Sequence, residues 1–423
     1  MTPRELARRV LERVERDRAW ATPTIDGELA RAGFDDRDRR LASELVYGVL
    51  RHRTRLDRAL AAHADLGRTP PRVVVALRVA AYQILFLDRV PAYAAVDDAV
   101  STARVSGGAK LAGFANAVLR KLVQAREPAL PTGGLERLEI EFSLPRWILD
   151  ELVAATSSSD GGAELAERAA GFAKPAPLVA RANRRRTSRA AVMEMLTTAG
   201  ITTHAIAAAP EAFVIENLGD PARSPSFAKG LWTVQDTGAQ LVGLAAAPRA
   251  GQKILDACAG VGGKATHLAE LSDDAAQIDA ADRSPVKLSL LADTAARLGL
   301  TSITRHVCDL TDPKAPLATD YDLIVLDAPC SGLGVLRRHP DAKWRLVPED
   351  VPRLAKVQAE LLDAVLPRLA PHGALVYSVC TFTRAEGSDQ IRAFAARSGL
   401  RIVAEHRTWP PDADGFYLAR LER

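Results

Sequence analysis

The sequence is poor in cysteine and has no long apolar run. Its 423 residues include four cysteines, Cys258, Cys308, Cys330 and Cys380, and no two of them form a C-x-x-C pair. This argues against a disulfide framework and against a zinc ribbon, so we expect free thiols and no metal site. No run is long enough to span a bilayer, and no charged segment precedes an apolar one in the manner of a secretory signal. We therefore expect a soluble, cytoplasmic protein with no membrane partner.

The chain also lacks a strong net charge. Lys and Arg exceed Asp and Glu by 56 to 52, and a net charge of +4 does not by itself indicate a polyanionic partner. Positive charge is concentrated locally instead, in "RHRTR" at 51–55 and in "RANRRRTSR" at 181–189. Each patch would suit phosphate contacts, and each is equally consistent with a solvated face of an arginine-rich protein.

The first 125 residues have the hydrophobic periodicity of helices. In "PRELARRVLERVERD" the apolar residues Leu6, Val10, Leu11 and Val14 fall on one face. Comparable patterns recur between Gly, Pro and Asp residues, which predicts a compact helical bundle with short connections. The stretch at 126–145 is rich in Pro and Gly and suits a connector, so we expect a domain boundary near residue 130.

The rest of the chain divides into a mixed region and a regular one. "PRWILDELVAAT" and "RAAVMEMLTTAG" predict helices, "PLVARAN" and "AFVIENLG" predict extended segments, and "TSSSDGG" at 156–162 predicts a loop. After Gly251, short apolar strands alternate with helices, which indicates βαβ units and a parallel sheet covered on both faces. We therefore predict an all-α bundle, a small α+β region and an α/β domain, at residues 1–130, 131–235 and 236–423.

In such sheets ligands bind at the carboxyl ends of the strands, and the residues of interest lie there. "LDACAGVGGKATHL" places Gly260, Gly262 and Gly263 between a strand and a helix, where glycine lets the backbone approach a ligand. Carboxylates end the strands that follow: Asp282, Asp309 and Asp327. One alone could be a helix cap, but a ligand explains the three together better. The loop lacks the spacing of a triphosphate-binding loop, so S-adenosylmethionine (SAM) fits better than ATP.

Two cysteines follow predicted strands beside this loop, Cys330 in "LDAPCSG" and Cys380 in "YSVCTFT". A thiol in such a turn can be exposed enough to ionise, and its thiolate is a strong nucleophile. Cys258 and Cys308 lie within or beside apolar strand residues, which favours a structural role for them.

Several segments together resemble one known family. "DAPCSGLGVLRRHPDAKW", "YSVCTFT" and the glycine loop resemble the RNA 5-methylcytosine methyltransferases, and the whole chain is similar to their bacterial RsmB (Sun, Fmu) type, which acts on 16S ribosomal RNA. The N-terminal bundle resembles the NusB antitermination factor, an RNA-binding fold. "GLWTVQDTGAQLV" and "DGFYLARLE" are similar to the family's lead-in segment and closing strand. The resemblance implies a Rossmann-like, SAM-dependent methyltransferase domain at 236–423, with RNA contacts from the other two domains.

The resemblance also implies roles for individual residues. It implies that Cys380 is the nucleophile, that Cys330 assists release of the methylated product, and that Asp327 serves both the cofactor and the target base. The cofactor site that it implies is Cys258, Ala259, Gly260, Val261, Gly262, Gly263, Lys264, Asp282, Asp309 and Asp327.

The chemistry agrees with these roles. Carbon 5 of cytosine is too weak a nucleophile to attack a methyl sulfonium, so a thiolate must first add at carbon 6. Asp327 would then stabilise the charge that arrives at nitrogen 3. The target base must leave any helical stack, so we expect a single-stranded or loop RNA substrate.

The chain departs from the family pattern at two places. The family's loop commonly reads Ala-Pro-Gly-Gly-Lys, whereas here Gly260-Val261 precede the glycine pair, and loss of the proline should loosen the turn. The family usually has Pro-Glu-Glu-Asn after its nucleophile, and "RAEGSDQ" keeps only Glu386.

Two other functions remain open. DNA cytosine-5 methyltransferases use the cysteine of a Pro-Cys pair, and Pro329-Cys330 is such a pair, but they carry a large target-recognition insertion where this sequence predicts only a helix. An RNA-binding ribosome-assembly factor that had lost activity would not need Cys380 or Asp327. We expect a monomer. Charge alone suggests the RNA contacts, first in the loop after Cys330: Arg337, Arg338, Lys343, Arg184, Arg185 and Arg186.

Overall fold

The computed structural model describes residues 1–156 and 162–423, and these form two compact units. One unit consists of the described residues of Met1–Lys174 together with Leu336–Leu346, and the other of Pro175–Val335 and Val347–Arg423. The chain therefore leaves the second unit for a short segment, contributes that segment to the first unit and then returns. Most of the loop predicted at 156–162 lies outside the described residues.

The first unit is helical, as the periodicity of its sequence predicts. Throughout residues 1–156 and 162–423, the helices are too short or too polar to cross a membrane. The helices of this unit are α1 (Pro3–Arg16), α2 (Ala21–Ala32), α3 (Asp36–Arg51), α4 (Arg53–Ala61), α5 (Pro71–Phe86), α6 (Ala92–Ala125, which departs from helical geometry at Gly107 and Gly108), α7 (Gly134–Glu141), α8 (Arg146–Ala155), α9 (Ala163–Ala173) and the short α15 (Ala342–Arg345).

Helix α1 shows why these segments fold as they do. The Thr2 hydroxyl accepts a hydrogen bond from the Glu5 amide at 3.2 Å, and the Glu5 carboxylate accepts one from the Thr2 amide at 2.7 Å, which forms a capping box. The apolar face predicted from the sequence is buried in the core of the bundle. The predicted connector at 126–145 contains helix α7, none of whose residues is buried.

The second unit begins with a small antiparallel sheet, ordered β2-β3-β1-β4. Trp232 packs its ring edge against Phe213 inside this layer, with the ring centroids 6.5 Å apart. The elements are β1 (Leu178–Ala182), α10 (Arg189–Thr198), β2 (Thr203–Ala205), β3 (Ala212–Ile215), α11 (Pro225–Ala228) and β4 (Trp232–Val234).

The remainder of this unit is a seven-stranded sheet, ordered β10-β11-β9-β8-β5-β6-β7, with helices between its strands. The elements are α12 (Thr237–Ala246), β5 (Lys253–Asp256), α13 (Gly263–Leu271), β6 (Gln277–Asp282), α14 (Pro285–Leu298), β7 (Ile303–Val307), β8 (Tyr321–Asp327), α16 (Asp350–Val365), β9 (Leu369–Val379), α17 (Ser388–Ser398), β10 (Arg401–Arg407) and β11 (Tyr417–Glu422).

Strands β5 to β9 of this sheet are parallel, and β10 and β11 pair antiparallel at one edge. Ile254 packs into the apolar cluster on one face of the sheet and Leu255 into the cluster on the other, which confirms a sheet covered on both sides. After β5, the chain adds β6 and β7 on one side of that strand in the sheet, and then adds β8 and β9 on its other side. The carboxyl ends of β5, β6 and β8 therefore flank the switch point, where ligands bind in sheets of this kind.

Candidate active site

Glycines in the left-handed region shape the turn between β5 and α13. Gly260 has φ 56° and Gly262 has φ 86°. A β-carbon at Gly262 would lie 2.4 Å from Cγ of Leu291, so a larger residue would have to displace α14. The Gly262 amide donates to the Ala259 carbonyl at 2.9 Å. The turn is therefore closed by its own backbone, although the family's proline is absent.

Two of the predicted carboxylates accept hydrogen bonds from nearby turns. Asp282 accepts the backbone amides of Gly260 at 2.9 Å and Ser284 at 2.8 Å, and so braces the glycine turn. Asp309 accepts the hydroxyl of Thr311 at 2.7 Å and its amide at 2.9 Å, and these bonds lower the pKa of Asp309. An ionised carboxylate has about four acceptor positions, so both can still accept hydroxyl groups from a ligand.

Asp256, the last residue of β5, is completely buried and was not among the predicted site residues. Neither of its carboxyl oxygens makes a well-formed hydrogen bond within the described part of the chain. Burial raises the pKa of Asp256 to about 7; the Lys264 ammonium and the Ala265 amide oppose this shift, and the charges of Asp327 and Asp282 add to it. The signal available in the sequence was its position at the end of the first parallel strand, just before the glycine loop.

Lys264, in the first turn of α13, forms a partly buried ion pair with Asp327 at the end of β8. Its Nζ donates to one Asp327 oxygen, and the Ser378 hydroxyl donates to the other at 2.7 Å. Burial lowers the pKa of Lys264, but attraction to Asp327, Asp256 and Cys380 outweighs this effect and the pKa is raised. Lys264 therefore remains an ammonium and places a positive charge beside both carboxylates and a thiol.

Cys330 follows β8 and Cys380 follows β9, which are neighbouring strands, and their sulfurs are 3.3 Å apart. The pKa of Cys330 is raised well above its usual value by the contact with Cys380, by burial, and by the charges of Glu386 and Asp327. Cys330 therefore keeps its proton, and its S–H group can donate a hydrogen bond to the Cys380 sulfur. The arrangement places the Cys380 sulfur beside a protonated thiol and an ammonium.

The other two cysteines lie in less reactive surroundings. Burial raises the pKa of Cys258, with the charge of Asp256 adding to the effect, and burial also raises the pKa of Cys308. Both side chains pack against the apolar cluster on one face of the sheet. Over residues 1–156 and 162–423 there is no group of three or more His, Cys, Asp or Glu residues that could hold a metal ion.

The loop after Cys330, ranked first for RNA contact, lies in the helical unit, where two of its basic residues are buried. Arg337 is 3% exposed and Lys343 is 2% exposed. The Lys343 Nζ donates to the Arg51 carbonyl at 2.9 Å, and burial lowers the pKa of Lys343 well below its usual value. Trp344 donates to a backbone carbonyl of α3 at 2.8 Å. Buried side chains cannot reach phosphates in this structure, so Arg337 and Lys343 are poor candidates, whereas Arg338 is half-buried.

The second group of basic residues is exposed, in the turn after β1. Arg185 donates to the Gly299 carbonyl at 3.1 Å, and Arg186 donates to the Arg297 carbonyl at 3.0 Å. These two side chains attach the turn to the end of α14. Arg184 is exposed as well and is a better candidate for RNA contact than the buried pair.

Family models match most of the chain. The NusB family model matches residues 1–124, the RsmF/B-like methyltransferase ferredoxin-like domain matches 144–220, and the 16S rRNA methyltransferase RsmB/F model matches 244–422. These matches agree in order with the helical bundle, the small antiparallel sheet and the seven-stranded sheet.

Similar proteins lead to the same family, and a solved structure shares the fold. A probable ribosomal RNA small subunit methyltransferase B from Synechocystis sp. is 37% identical over 100% of both chains. The ribosomal RNA small subunit methyltransferase B of Vibrio cholerae is 36% identical over 92% of this chain and 90% of its own length. The crystal structure of PH0851 has the same fold, with a TM-score of 0.82 and 22% identity over 100% of this chain and 99% of that one. The chain therefore belongs to the 16S rRNA methyltransferase RsmB/F family.

Proposed function

We propose that this protein methylates carbon 5 of a cytidine in 16S ribosomal RNA, with SAM as the methyl donor. Membership of the RsmB/F family supports methyl transfer to ribosomal RNA. The observation that carries the cytosine chemistry is the pair of sulfurs of Cys330 and Cys380, 3.3 Å apart beside the Lys264 and Asp327 ion pair. We assign RNA contacts to the NusB-like and ferredoxin-like parts of the chain, with boundaries near residues 130 and 235.

The residues around the glycine turn fit SAM. When bound, SAM supplies a methyl group carried by a positively charged sulfonium. Asp282 and Asp309 offer carboxylate oxygens to ribose hydroxyls, and the glycines let the backbone approach the ligand. The buried Asp256 carboxyl, which lacks a well-formed hydrogen bond to the described residues, suits a cationic ligand with N–H donors.

The first chemical role falls to Cys380. Its thiolate forms a bond from Sγ to carbon 6, and the electrons of the C5–C6 double bond move through carbon 4 onto nitrogen 3. A proton from the Lys264 and Asp327 pair offsets the charge that arrives there. Carbon 5 then becomes nucleophilic enough to accept the methyl group.

Release of the product involves Cys330. A base removes the proton from carbon 5, the C5–C6 double bond forms again, and the bond from Cys380 Sγ to carbon 6 breaks. Nitrogen 3 returns its proton to the Lys264 and Asp327 pair, so the product leaves as neutral 5-methylcytosine. The Cys330 thiol, 3.3 Å from the departing sulfur, stabilises it as a thiolate. Between Cys330 and β9 the chain forms only α15, α16 and short turns, which argues against the insertion expected of a DNA methyltransferase.

The test is methyl transfer from labelled SAM to unmodified 16S RNA by the wild type, Cys380→Ala, Cys330→Ala and the control Cys308→Ala. We expect Cys380→Ala to lose transfer, Cys330→Ala to accumulate a protein–RNA adduct on denaturing gels, and the control to behave as the wild type. The opposite pattern would exchange the two cysteine roles. Nucleoside mass spectrometry that found the methyl group on another base or another atom would refute the proposal.

A further inference from the structure

Glu386 is a completely buried carboxylate that contacts the turns of both cysteines. Its Oε1 accepts the backbone amide of Ser331 at 2.7 Å and the side-chain amide of Gln358 at 3.1 Å. Its Oε2 accepts the hydroxyls of Ser331 at 2.6 Å and Thr383 at 2.9 Å. Ser331 directly follows Cys330, and Thr383 lies in the turn after β9, so one side chain connects the two turns.

The neighbours of Glu386 also bond to one another and to the Cys330 turn. The hydroxyls of Ser331 and Thr381 are 3.0 Å apart, and the Gln358 side-chain amide also donates to the Pro329 carbonyl at 3.0 Å. Both hydroxyl residues and Gln358 are buried. An ionised carboxylate is costly to bury unless donors satisfy it, and here each oxygen has two donors.

We propose that Glu386 is a positioning residue, which holds the Cys330 and Cys380 turns together so that the two sulfurs stay in contact. The catalytic meaning of this role rests on the proposed function. The carboxylate also acts through its charge, since it is one of the groups that raise the pKa of Cys330 and keep its proton in place. Glu386 therefore serves the reaction through the two thiols, without touching the substrate.

The variant Glu386→Gln tests the charge, because glutamine has the same shape but is neutral and turns an acceptor into a donor. Thr383→Val tests the hydrogen bonds, because it removes one donor and keeps the charge and the volume. Glu349→Gln is the matched control, since Glu349 is an exposed glutamate before α16. Circular dichroism melting identifies any variant that fails to fold.

The decisive readout is the rate of iodoacetamide alkylation of each cysteine against pH, measured by peptide mass spectrometry on enzyme without RNA or SAM. We expect Glu386→Gln to shift the Cys330 profile to lower pH, because a negative charge near the thiol is lost. Methyl transfer should show kcat reduced about 10²-fold with KM for RNA and SAM little changed, since small misplacements of reacting groups have effects of this size. We expect Thr383→Val to lower kcat less, and Glu349→Gln to match the wild type.

Unchanged alkylation profiles and kcat in both variants would overturn the positioning role, and so would a rise in KM with kcat unchanged. A failure of the positioning role can be told apart from a failure of the proposed function. A shifted Cys330 profile in an enzyme whose wild type leaves 16S cytidines unmethylated would support the positioning of the thiols and refute the proposed substrate.

Discussion

Replacement of Asp256 by asparagine should change the stability of the seven-stranded sheet in a pH-dependent way, and should become more favourable as the pH rises. The pKa of Asp256 is raised in the folded protein from 3.8 to about 7. Below the lower value both the folded and the unfolded chain hold the proton. Between the two values only the unfolded chain releases it, so the free energy of unfolding of the wild type falls as the pH rises. Above the upper value the folded chain releases the proton as well, so the free energy of unfolding falls no further.

The magnitude follows from the two pKa values. A difference of about 3 units at about 1.4 kcal/mol per unit gives a loss of about 4 kcal/mol at pH 8, compared with about 2 kcal/mol at pH 5. Asparagine does not titrate, but its buried amide has a constant cost of about 1–3 kcal/mol. This cost cancels when the stability difference between variant and wild type at pH 8 is compared with the difference at pH 5. The expected change in that difference is roughly 2–3 kcal/mol.

Hydrogen exchange followed by mass spectrometry measures this change in peptides that cover β5 and β8. Comparing the variant with the wild type at the same pH removes the effect of pH on intrinsic exchange. We expect the ratio of their protection factors to grow roughly 10²-fold from pH 5 to pH 8. Asp293→Asn, at an exposed position of α14, is the control and should show no such trend. A ratio that stayed constant for Asp256→Asn would refute the reasoning.

Three further outcomes follow from the structure. Arg181→Met leaves the buried Glu270 carboxylate without its 2.9 Å partner and should lower stability by about 3–5 kcal/mol in thermal unfolding; addition of Glu270→Leu should restore much of it. Gly262→Ala should weaken SAM binding in calorimetry at least tenfold more than Gly251→Ala, which has a similar φ of 80° but open space around its β-carbon. Cys258 should resist iodoacetamide at pH 8 while Cys380 reacts, because burial raises the pKa of Cys258.

One result would contradict each of these three predictions. A stable Arg181→Met protein would mean that Glu270 finds another donor or a proton. Equal SAM affinities of the two glycine variants would mean that the turn moves away from Leu291 without cost. Rapid alkylation of Cys258 would mean that its turn opens to solvent.

Much of the architecture was predictable because periodicity is a local property. The helical pattern in α1 and the short apolar runs of β5 and β8 each require only neighbouring residues to be recognised. Because parallel strands end at one edge of a sheet, the sequence also predicted that the glycine turn, Asp327 and the two cysteines would lie near each other. The structure brings Lys264, Asp327, Cys330 and Cys380 together as expected.

Burial and long-range partners were not predictable in the same way. Lys343 has the sequence context of an exposed basic loop, yet its Nζ donates to a carbonyl of α3, 292 residues away in sequence. Glu386 looked like the remnant of a longer motif, but it bonds to Ser331, 55 residues away. The raised pKa of Asp256 likewise depends on burial, and on charged groups from two other strands and a helix.

The sequence by itself determined the class of the domains, the position of the glycine turn and the candidate site residues, because these depend on local periodicity and on side-chain type. Only the tertiary structure decided which neighbours each of those residues has. It placed Cys330 against Cys380, joined both turns through Glu386 and buried Asp256 and Lys343. The physical reason is that pKa values and hydrogen-bond partners depend on distances between residues far apart in the chain, and those distances are set by packing.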